Sequence, residues 1–355
     1  MCQEVAVFSR AKTTVGLDIG SSAIKVVELE SKGGATRLVH FGIADLVPEA
    51  IVEGEVMDRQ LVVDTIQNLL EKTGVRRRRV AVGISGRGVI VKKITMDRLD
   101  PKDAREAIHW EAEQYVPYDI NDVSLDFEIL DVDVGPKQMQ VLLVAAKKDL
   151  VNTQSDLIRE AGLQPALIDV NSFAVQNAAE LNYDFVQEET VVLLNVGAEL
   201  TNVNIVRGGI PLYTQDLMLG GNSFIESIQK RYQVNREEAV AACRAPSGGS
   251  VVDIDPVVEE FGGELGVGIE RSLATLKATE EAGTIDRILL SGGGARIGGL
   301  PQLLAERQKV PVDVVDPLRR ITYSPETFEE EEDPTTAGAQ LTVSVGLALR
   351  KAREK

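Results

Sequence analysis

A two-lobed α/β protein built on a duplicated domain is what the sequence predicts, on three observations. The chain has 355 residues, more than a single hydrophobic core usually serves, so two lobes or several subdomains are expected. Short β-branched strands alternate with helix-period segments along its length, the pattern of an α/β fold. The third observation is a repeat: Val15–Val27 can be laid over Val192–Asn204 at an offset of 177 residues. Asp18 then falls on Asn195, Gly20 on Gly197, Ser21 on Ala198 and Val26 on Val203. Each copy reads as an apolar strand, a polar residue two before a glycine, a tight turn and a second apolar strand.

Composition narrows the class. Apolar residues make up 44% and charged residues 26% of the chain, the balance of a folded protein rather than a disordered one. A net charge of −17 argues against nucleic-acid binding, which needs a basic face. The longest apolar runs, Val141–Ala146 and Val191–Leu194, fall far short of the roughly 18 residues of a membrane span. The start, Met1-Cys2-Gln3-Glu4, has no basic segment leading into an apolar one, so no secretory signal is expected. Cys2 and Cys243 then read as reduced thiols of a cytoplasmic protein.

The elements follow in order. Val15–Gly20 and Ala23–Leu29 form a β-hairpin about a Gly-Ser-Ser turn, and the Lys32-Gly33-Gly34 turn leads to a strand at Thr36–Ala44. Asp58–Thr73 is a helix, since Leu61, Val62, Thr65, Ile66, Leu69 and Leu70 recur at helical spacing and Gly74 ends it. Arg76–Arg79 precedes a buried strand, Val80–Ile84; the four arginines read as a solvated loop or as a contact to anionic lipid. From Val89 to about Arg159 the pattern becomes βαββα: strand Val89–Ile94, helix Asp100–Tyr115, strands Ser124–Val132 and Gln138–Ala146, helix Lys148–Ala161. Pro101 occupies the favoured first turn of its helix. This is a small α+β module inserted in the first lobe, and Pro165–Asp169 resumes the strand pattern after it.

In the second half, Gly208-Gly209 turns the chain into Ile210–Leu217, and Gly220-Gly221 precedes a helix starting near Ser223. Asn235–Ala242 and Pro256–Thr279 read as helices, Ile285–Ser291 as a buried strand, Gly299–Arg307 as a helix and Val312–Val315 as a final strand. The acidic run within Phe328–Asp333 reads as a solvated loop, and Ala337–Arg350 as an apolar closing helix.

Three glycine-centred turns carry the chemistry: Asp18-Ile19-Gly20-Ser21-Ser22, Asn195-Val196-Gly197-Ala198-Glu199 and Ser291-Gly292-Gly293-Gly294-Ala295. A nucleotide phosphate is held by backbone N–H groups at short range, and only small residues let the chain approach it. Two facing hairpins can hold phosphates from opposite sides while the third loop lies against the nucleoside. Asp18 then sits near a bound Mg²⁺, which takes carboxylate, phosphate and water oxygens; alternatively it caps its own turn. Lys25 is either a counter-charge or a solvated strand residue. A dinucleotide fingerprint at Gly292 fits poorly, because Asp313 or Asp316 would have to bind ribose outside a βαβ unit that opens a domain. His40 and His109 are the two histidines of the chain, and no zinc spacing accompanies them.

With two phosphate hairpins, an adenosine loop and a terminal helix in that order, the sequence resembles the actin-like ATPase superfold of actin, heat-shock chaperones and sugar kinases. The module between Val89 and Arg159 looks like the relocated subdomain of the cell-division protein FtsA. Closer still, Val15-Gly16-Leu17-Asp18-Ile19-Gly20-Ser21-Ser22, Ala107–Pro117 and Val345–Arg350 are similar to the PilM family of type IV pilus assembly proteins, from about Thr14 to Arg350. The resemblance implies an α/β actin-like two-lobed ATPase fold with an FtsA-type relocated subdomain in the first lobe. Its divisions are 14–88 (first lobe, hairpin 1), 89–160 (inserted subdomain) and 161–189 (return and interlobe helix). The second lobe divides into 190–232 (hairpin 2), 233–284 (helical subdomain) and 285–355 (adenosine loop and closing helix).

The same resemblance implies ATP and Mg²⁺ as cofactors. The nucleotide contacts would come from Gly20, Ser21, Ser22, Lys25, Asn195, Gly197, Ala198, Thr201, Asn202, Gly220, Gly221, Arg271, Gly292, Gly293, Gly294 and Arg296, with the metal near Asp18 and Asn195. Asp18 and Asp169 are the catalytic candidates, Asp169 and Asn171 lying at the start of the interlobe helix. Arg271 either stacks on adenine or makes a surface salt bridge. A cytoplasmic scaffold of pilus assembly and twitching motility is implied, peripheral to the inner membrane. It would bind the cytoplasmic N-terminus of PilN at Tyr115, Val116 and Pro117, within the inner-membrane alignment complex and as a homo-oligomeric ring.

One departure stands out: the second hairpin of the superfold usually begins with aspartate, and here that residue is Asn195. An amide supplies no charge, and one close unit-charge contact is worth roughly 4 kcal/mol at an effective dielectric of about 20. ATP binding with slow or negligible hydrolysis is therefore expected. Two other readings stay open. One is an FtsA-like filament protein docked by an amphipathic C-terminal helix, although Leu341–Lys355 carries small residues on its face. The other is a small-molecule kinase of the same superfold, although the second lobe shows no substrate-binding insertion.

Overall fold

The computed structural model describes residues 12–135, 137–244, 252–278, 284–324 and 337–350. Cys2, Thr279, the acidic residues of Phe328–Asp333 and the tail after Arg350 lie outside the described residues. The first-lobe strands are β1 (Lys12–Ile19), β2 (Ala23–Lys32), β3 (Ala35–Asp45), the two-residue β4 (Ile51–Val52) and β5 (Glu55–Val56), and β6 (Arg79–Ile84). The inserted module carries β7 (Val89–Asp97), β8 (Val123–Gly135) and β9 (Gln138–Lys147), after which β10 (Gln164–Val170) returns to the first sheet. The second lobe carries β11 (Thr190–Val196), β12 (Thr201–Arg207), β13 (Ile210–Leu217), β14 (Arg287–Ser291) and β15 (Val312–Val314).

The duplication is visible in the topology. The sheets run β10-β6-β1-β2-β3 and β13-β12-β11-β14-β15. In each, three strands form an antiparallel meander, a fourth strand joins its first strand in parallel, and a fifth joins the fourth in parallel. The 177-residue offset holds residue by residue at the hairpins: Asp18 pairs Lys25 in β1–β2, and Asn195 pairs Asn202 in β11–β12.

Helices cover each sheet according to their apolar stripes. On the outer face of the first sheet lie α1 (Arg59–Thr73) and, after α2 of the module (Pro101–Ala112), α3 (Lys148–Glu160). Val62, Ile66 and Leu69 of α1 meet Leu157 and Ile158 of α3 over Leu17, Val26 and Val82. Asp58 accepts a hydrogen bond from Leu61 N to start α1, and Gly74 ends it at φ 73°, the left-handed cap conformation that glycine adopts without penalty. Between the lobes lies α4 (Asn171–Asn182). In the second lobe α5 (Gly221–Tyr232), α6 (Arg236–Arg244), α7 (Asp255–Ala278) and α8 (Leu300–Gln308) bury Phe224, Ala239, Phe261, Leu265 and Leu304 on the second sheet. A 3₁₀ turn, Gly338–Leu341, then leads into α9 (Thr342–Leu349), which is buried all round.

Two interlobe helices, α4 and α9, hold the halves together. Val175 of α4 packs with Val191, Leu193 and Leu289 of the second sheet, whereas Val345 and Ala348 of α9 pack with Val27 and Leu29 of the first. Neither neighbour of α9 leaves room for side chains: where it crosses α4, a Cβ on Gly346 would overlap the carbonyl of Ala174, and where it lies on β1, a Cβ on Gly16 would overlap the Ser344 carbonyl and lie 2.6 Å from Ala348 N. Thr14 Oγ1 also donates to the Ala348 carbonyl.

In the module, α2 lays Ile108 against Ile94, Met139 and Leu143. The helix stops at Ala112 rather than the expected Tyr115, because the Ala112 carbonyl accepts from both Tyr115 N and Val116 N. That tightened turn drops Val116 into the module core, at 5% exposure. Trp110, on the opposite side of α2, is 74% exposed. Among the described residues no helix is long and apolar enough to cross a membrane.

Candidate functional site

Both hairpins end in the same tight turn. Gly20 N donates to Ala23 O at 3.1 Å, and Gly197 N donates to Leu200 O at 2.9 Å. Their tips face each other across the lobes, where Ser21 Oγ donates to Glu199 Oε2 at 2.7 Å. The third loop closes on the second hairpin. Gly292 holds φ 84°, and a side chain there would strike the Val196 carbonyl and approach Asn195 Oδ1 to 2.8 Å. Gly294 has the same constraint against the Val196 side chain, while Gly293 faces open space. Gly220-Gly221 completes the cradle: Gly221 N donates to Gly197 O at 2.9 Å and Asn222 N to Ala198 O at 2.7 Å. Such close backbone approach is what glycine permits.

The polar groups at the strand ends differ between the lobes. Asp18, 6% exposed, accepts from Lys25 Nζ at 3.0 Å. Asn195 donates to Asn202 Oδ1 at 2.9 Å and accepts from Ser291 Oγ at 3.2 Å. Asn202 in turn donates to Asp216 Oδ1 at 2.6 Å, and the other Asp216 oxygen accepts from Gly86 N at 2.6 Å. This chain of bonds runs from β14 across the second sheet to the loop after β6, so it ties one lobe to the other. Burial pushes the Asp216 carboxyl up, against the pull of the Asn202 and Gly86 donors.

Asp169, at the end of β10, is buried; its Oδ1 accepts from Val170 N at 2.9 Å, and its Oδ2 lies 2.7 Å from Nε of Arg350. Burial raises its pKa and the Arg350 charge pulls it part of the way back. Asn171 Nδ2 donates to Ser85 Oγ at 3.1 Å, while its Oδ1 sits without a hydrogen-bond partner, over the space left by Gly83.

The structure thus brings together Gly20, Ser21, Ser22, Lys25, Asp18, Asn195, Gly197, Ala198, Thr201, Asn202, Gly220, Gly221, Gly292, Gly293 and Gly294 around the two hairpins. Thr201 Oγ1 is spent on the Leu219 carbonyl at 2.7 Å, below the Gly220 turn. Arg296 is exposed at the end of the third loop. Arg271 is exposed and lines a cavity of about 780 Å³ between β13 and α7, shared with Glu259, Glu264 and Arg307 and with none of the hairpin glycines. Of the partner candidates, Val116 is core, Tyr115 is half-buried and Pro117 is exposed. Among the described residues no group of three or more His, Cys, Asp or Glu side chains is arranged to hold a metal by itself.

Sequence reasoning missed Asp216 and Gly86, and passed over Glu199 and Ser291 although both stand inside the quoted turns. The last two were legible from the repeat: Glu199 falls on Ser22, an anion where the first hairpin has a hydroxyl. Asp216 had no such signal, because the β12–β13 register shifts between Ile205 and Val206 and no repeat partner announces it.

Comparison with known proteins places this geometry. The cell-division protein FtsA of Streptococcus pneumoniae serotype 2 (strain D39 / NCTC 7466) is 21% identical over 251 residues, 63% of this chain, and the match spans about half of that protein, 53%. The structure of MreB5 of Spiroplasma citri bound to ADP, 10% identical, superposes with a TM-score of 0.51 over 94% of each chain, a likeness of fold. The PilM-PilN type IV pilus biogenesis complex superposes with a TM-score of 0.83 at 29% identity, covering 96% of this chain and 99% of that one. The fold is therefore the actin-like two-lobed α/β fold. The family described as type IV pilus assembly protein PilM matches residues 16–352, nearly the whole sequence, and this chain belongs to it.

Proposed function

We propose that this chain is a nucleotide-binding scaffold of type IV pilus assembly that takes ATP with Mg²⁺ between its lobes and receives the cytoplasmic N-terminus of PilN. The observation that carries the nucleotide part is the facing pair of hairpins, equivalent at a fixed offset and bridged tip to tip by Ser21 and Glu199. The residues fit the ligand. Gly293 leaves open space beside a loop whose neighbours would clash with any side chain, and a single carboxylate, Asp18, suffices for Mg²⁺ that also takes phosphate and water oxygens. Bound ATP would supply a polyanion within reach of the backbone N–H groups of both hairpins. The ADP-bound MreB5 structure on the same fold is consistent with this seat.

Slow or negligible hydrolysis is part of the proposal. Asp18 is paired with Lys25, and Asp169 accepts from Val170 N through Oδ1 and forms an ion pair with Arg350 through Oδ2. Each carboxylate is thus tied to a cation, Asp18 to Lys25 and Asp169 to Arg350, and a paired carboxylate is a weaker base toward water than a free one. Asn195 adds no charge. Nucleotide acts instead by favouring the closed arrangement of the lobes, a population shift.

For the partner, the PilM–PilN complex is the guide. Pro117 and Tyr115 stand beside Tyr118, whose hydroxyl donates to the Arg87 carbonyl at 2.7 Å where the module joins the first lobe. A net charge of −17 suits the basic residues that flank the cytoplasmic end of a membrane span. The protein would sit on the cytoplasmic side of the inner membrane through PilN, in a homo-oligomeric ring within the alignment complex. Calorimetric titration with ATP and Mg²⁺, followed by pull-down with the first dozen residues of PilN with and without nucleotide, tests both parts. Saturable binding of each is expected. No retained nucleotide sinks the first part, and no retained peptide in either condition sinks the second.

A further inference from the structure

Among the described residues, the Ser21–Glu199 contact joins the hairpin tips through side chains of opposite hydrogen-bonding character. At 2.7 Å it is a well-formed hydroxyl-to-carboxylate hydrogen bond. It is also asymmetric. The first hairpin presents Ser21 and Ser22, whereas the second presents Ala198 and Glu199 at the equivalent places. One tip offers two hydroxyl donors, and the other offers a methyl group and an anion. Hairpin 2 has thus lost a carboxylate at its strand end, Asn195, and carries one at its tip.

Resting on the nucleotide seat argued above, we propose that Glu199 is a specificity-determining residue of that seat. Its carboxylate competes with a terminal phosphate for the Ser21 hydroxyl, and the site therefore prefers a nucleoside diphosphate to a triphosphate. Two observations support this. Both side chains are half-buried, so their charges are less screened than at an open surface. The cation of the first hairpin, Lys25, is engaged by Asp18 at 3.0 Å and is not placed on Glu199. A third phosphoryl seated at the tips would add negative charge to a gap that Ser21 and Glu199 already close at 2.7 Å. Like charges forced together in such a gap oppose binding and act on specificity more than on overall affinity.

The test is a calorimetric titration with ADP and with ATP, each with Mg²⁺, on the full chain and on Glu199→Gln, Ser21→Ala and the exposed control Glu226→Gln. Wild type should bind ADP more tightly than ATP. Glu199→Gln should tighten ATP binding about tenfold while ADP changes less than about threefold, since one charge repulsion is relieved in a partly screened site. Ser21→Ala should weaken ATP binding, and Glu226→Gln should leave both ligands unchanged. Unfolding curves establish that each variant is folded. A Glu199→Gln protein that binds both ligands as wild type does, or tightens both by the same factor, overturns the assignment while leaving the seat intact. Failure of the wild type and all variants to bind either nucleotide overturns the seat, and this assignment with it.

Discussion

The two hairpins share a backbone and differ in what stands at the strand ends. In the first lobe the paired positions are Asp18 and Lys25, an ion pair. In the second they are Asn195 and Asn202, an amide pair continued to Ser291 on one side and to Asp216 on the other. An ion pair can exchange a partner for an incoming charge, because the attraction has little directional demand. A buried amide ladder cannot: each donor faces one acceptor, and breaking any rung leaves a buried polar group unsatisfied. The first hairpin is thereby the side that can respond to ligand charge, and the second is the fixed wall it closes against. The ladder also leaves its own lobe, through Asp216 and Gly86 N, so the wall and the closure share one set of bonds.

The largest way to break the comparison is to make the lobes alike where helices force them apart. Gly16 in the first sheet is equivalent to Leu193 in the second. Leu193 packs against α4, but the place of Gly16 is filled by the backbone of α9. Gly16→Leu should cost more than about 3 kcal/mol, since overpacking against backbone has no rotamer that relieves it. Urea unfolding should give a much lower midpoint or no folded protein. A stable Gly16→Leu variant would show that α9 is not seated as described.

How much of this was legible follows from the same comparison. Residues whose role is periodic or repeated announced themselves: the apolar stripe of Asp58–Thr73, the hairpin pair at the 177 offset, the small-residue closing helix. Residues whose role depends on a distant strand did not. Asp216 acts through a register that shifts within β12–β13, and Arg350 reaches Asp169 from the far end of the chain. Val116 looked like a groove residue in an Ala-Glu-Gln-Tyr-Val-Pro run, yet the tight turn after α2 sends it into the core. Local sequence carries no trace of that turn beyond Pro117, which disfavours continuing the helix.

Next in size is the clasp. Asp216→Asn puts an amide N–H against one of two donors, Asn202 Nδ2 or Gly86 N, and should cost about 2 kcal/mol. The deficit depends on pH. Burial raises the Asp216 pKa in the folded protein, so the folded state binds more protons than the unfolded chain above the ordinary aspartate value of about 3.9. Stability from this group is full below that value and declines as pH rises through the raised one. Unfolding midpoints between pH 4 and pH 8 should show a deficit for Asp216→Asn that is greatest at the acid end. A deficit that grows toward neutrality would reverse the sign assigned to burial.

Converting the second hairpin toward the first sharpens the contrast more gently. Asn195→Asp sets a carboxylate oxygen against Asn202 Oδ1, two acceptors with no proton between them. Asn202 can rotate its amide to answer, but then loses Asp216. A loss of about 1.5 kcal/mol is expected, recovered in part by Mg²⁺ with nucleotide, because the new carboxylate gives the metal a second anionic ligand. Melting with and without Mg²⁺ and ATP reads this directly: the shift on adding both should be larger in the variant than in wild type, and equal shifts would argue that Asn195 lies away from the metal.

The smallest effect concerns the outer rung. Ser291 is fully buried and donates to Asn195 Oδ1 at 3.2 Å. Its counterpart beside Asp18 is Gly83, whose missing side chain is replaced by the amide oxygen of Asn171. The first lobe thus fills that corner from α4 and the second fills it from the strand itself. Ser291→Ala removes one hydrogen bond and leaves Asn195 Oδ1 buried beside Gly292, for about 1 kcal/mol. Because Asn195 keeps its bond to Asn202, the rest of the ladder should stand. Hydrogen exchange should therefore quicken at the Gly292 turn and at β11, and leave Gly86 N as protected as before. Quickened exchange at Gly86 would mean that the ladder opens as a unit, and that the fixed wall is itself a switch.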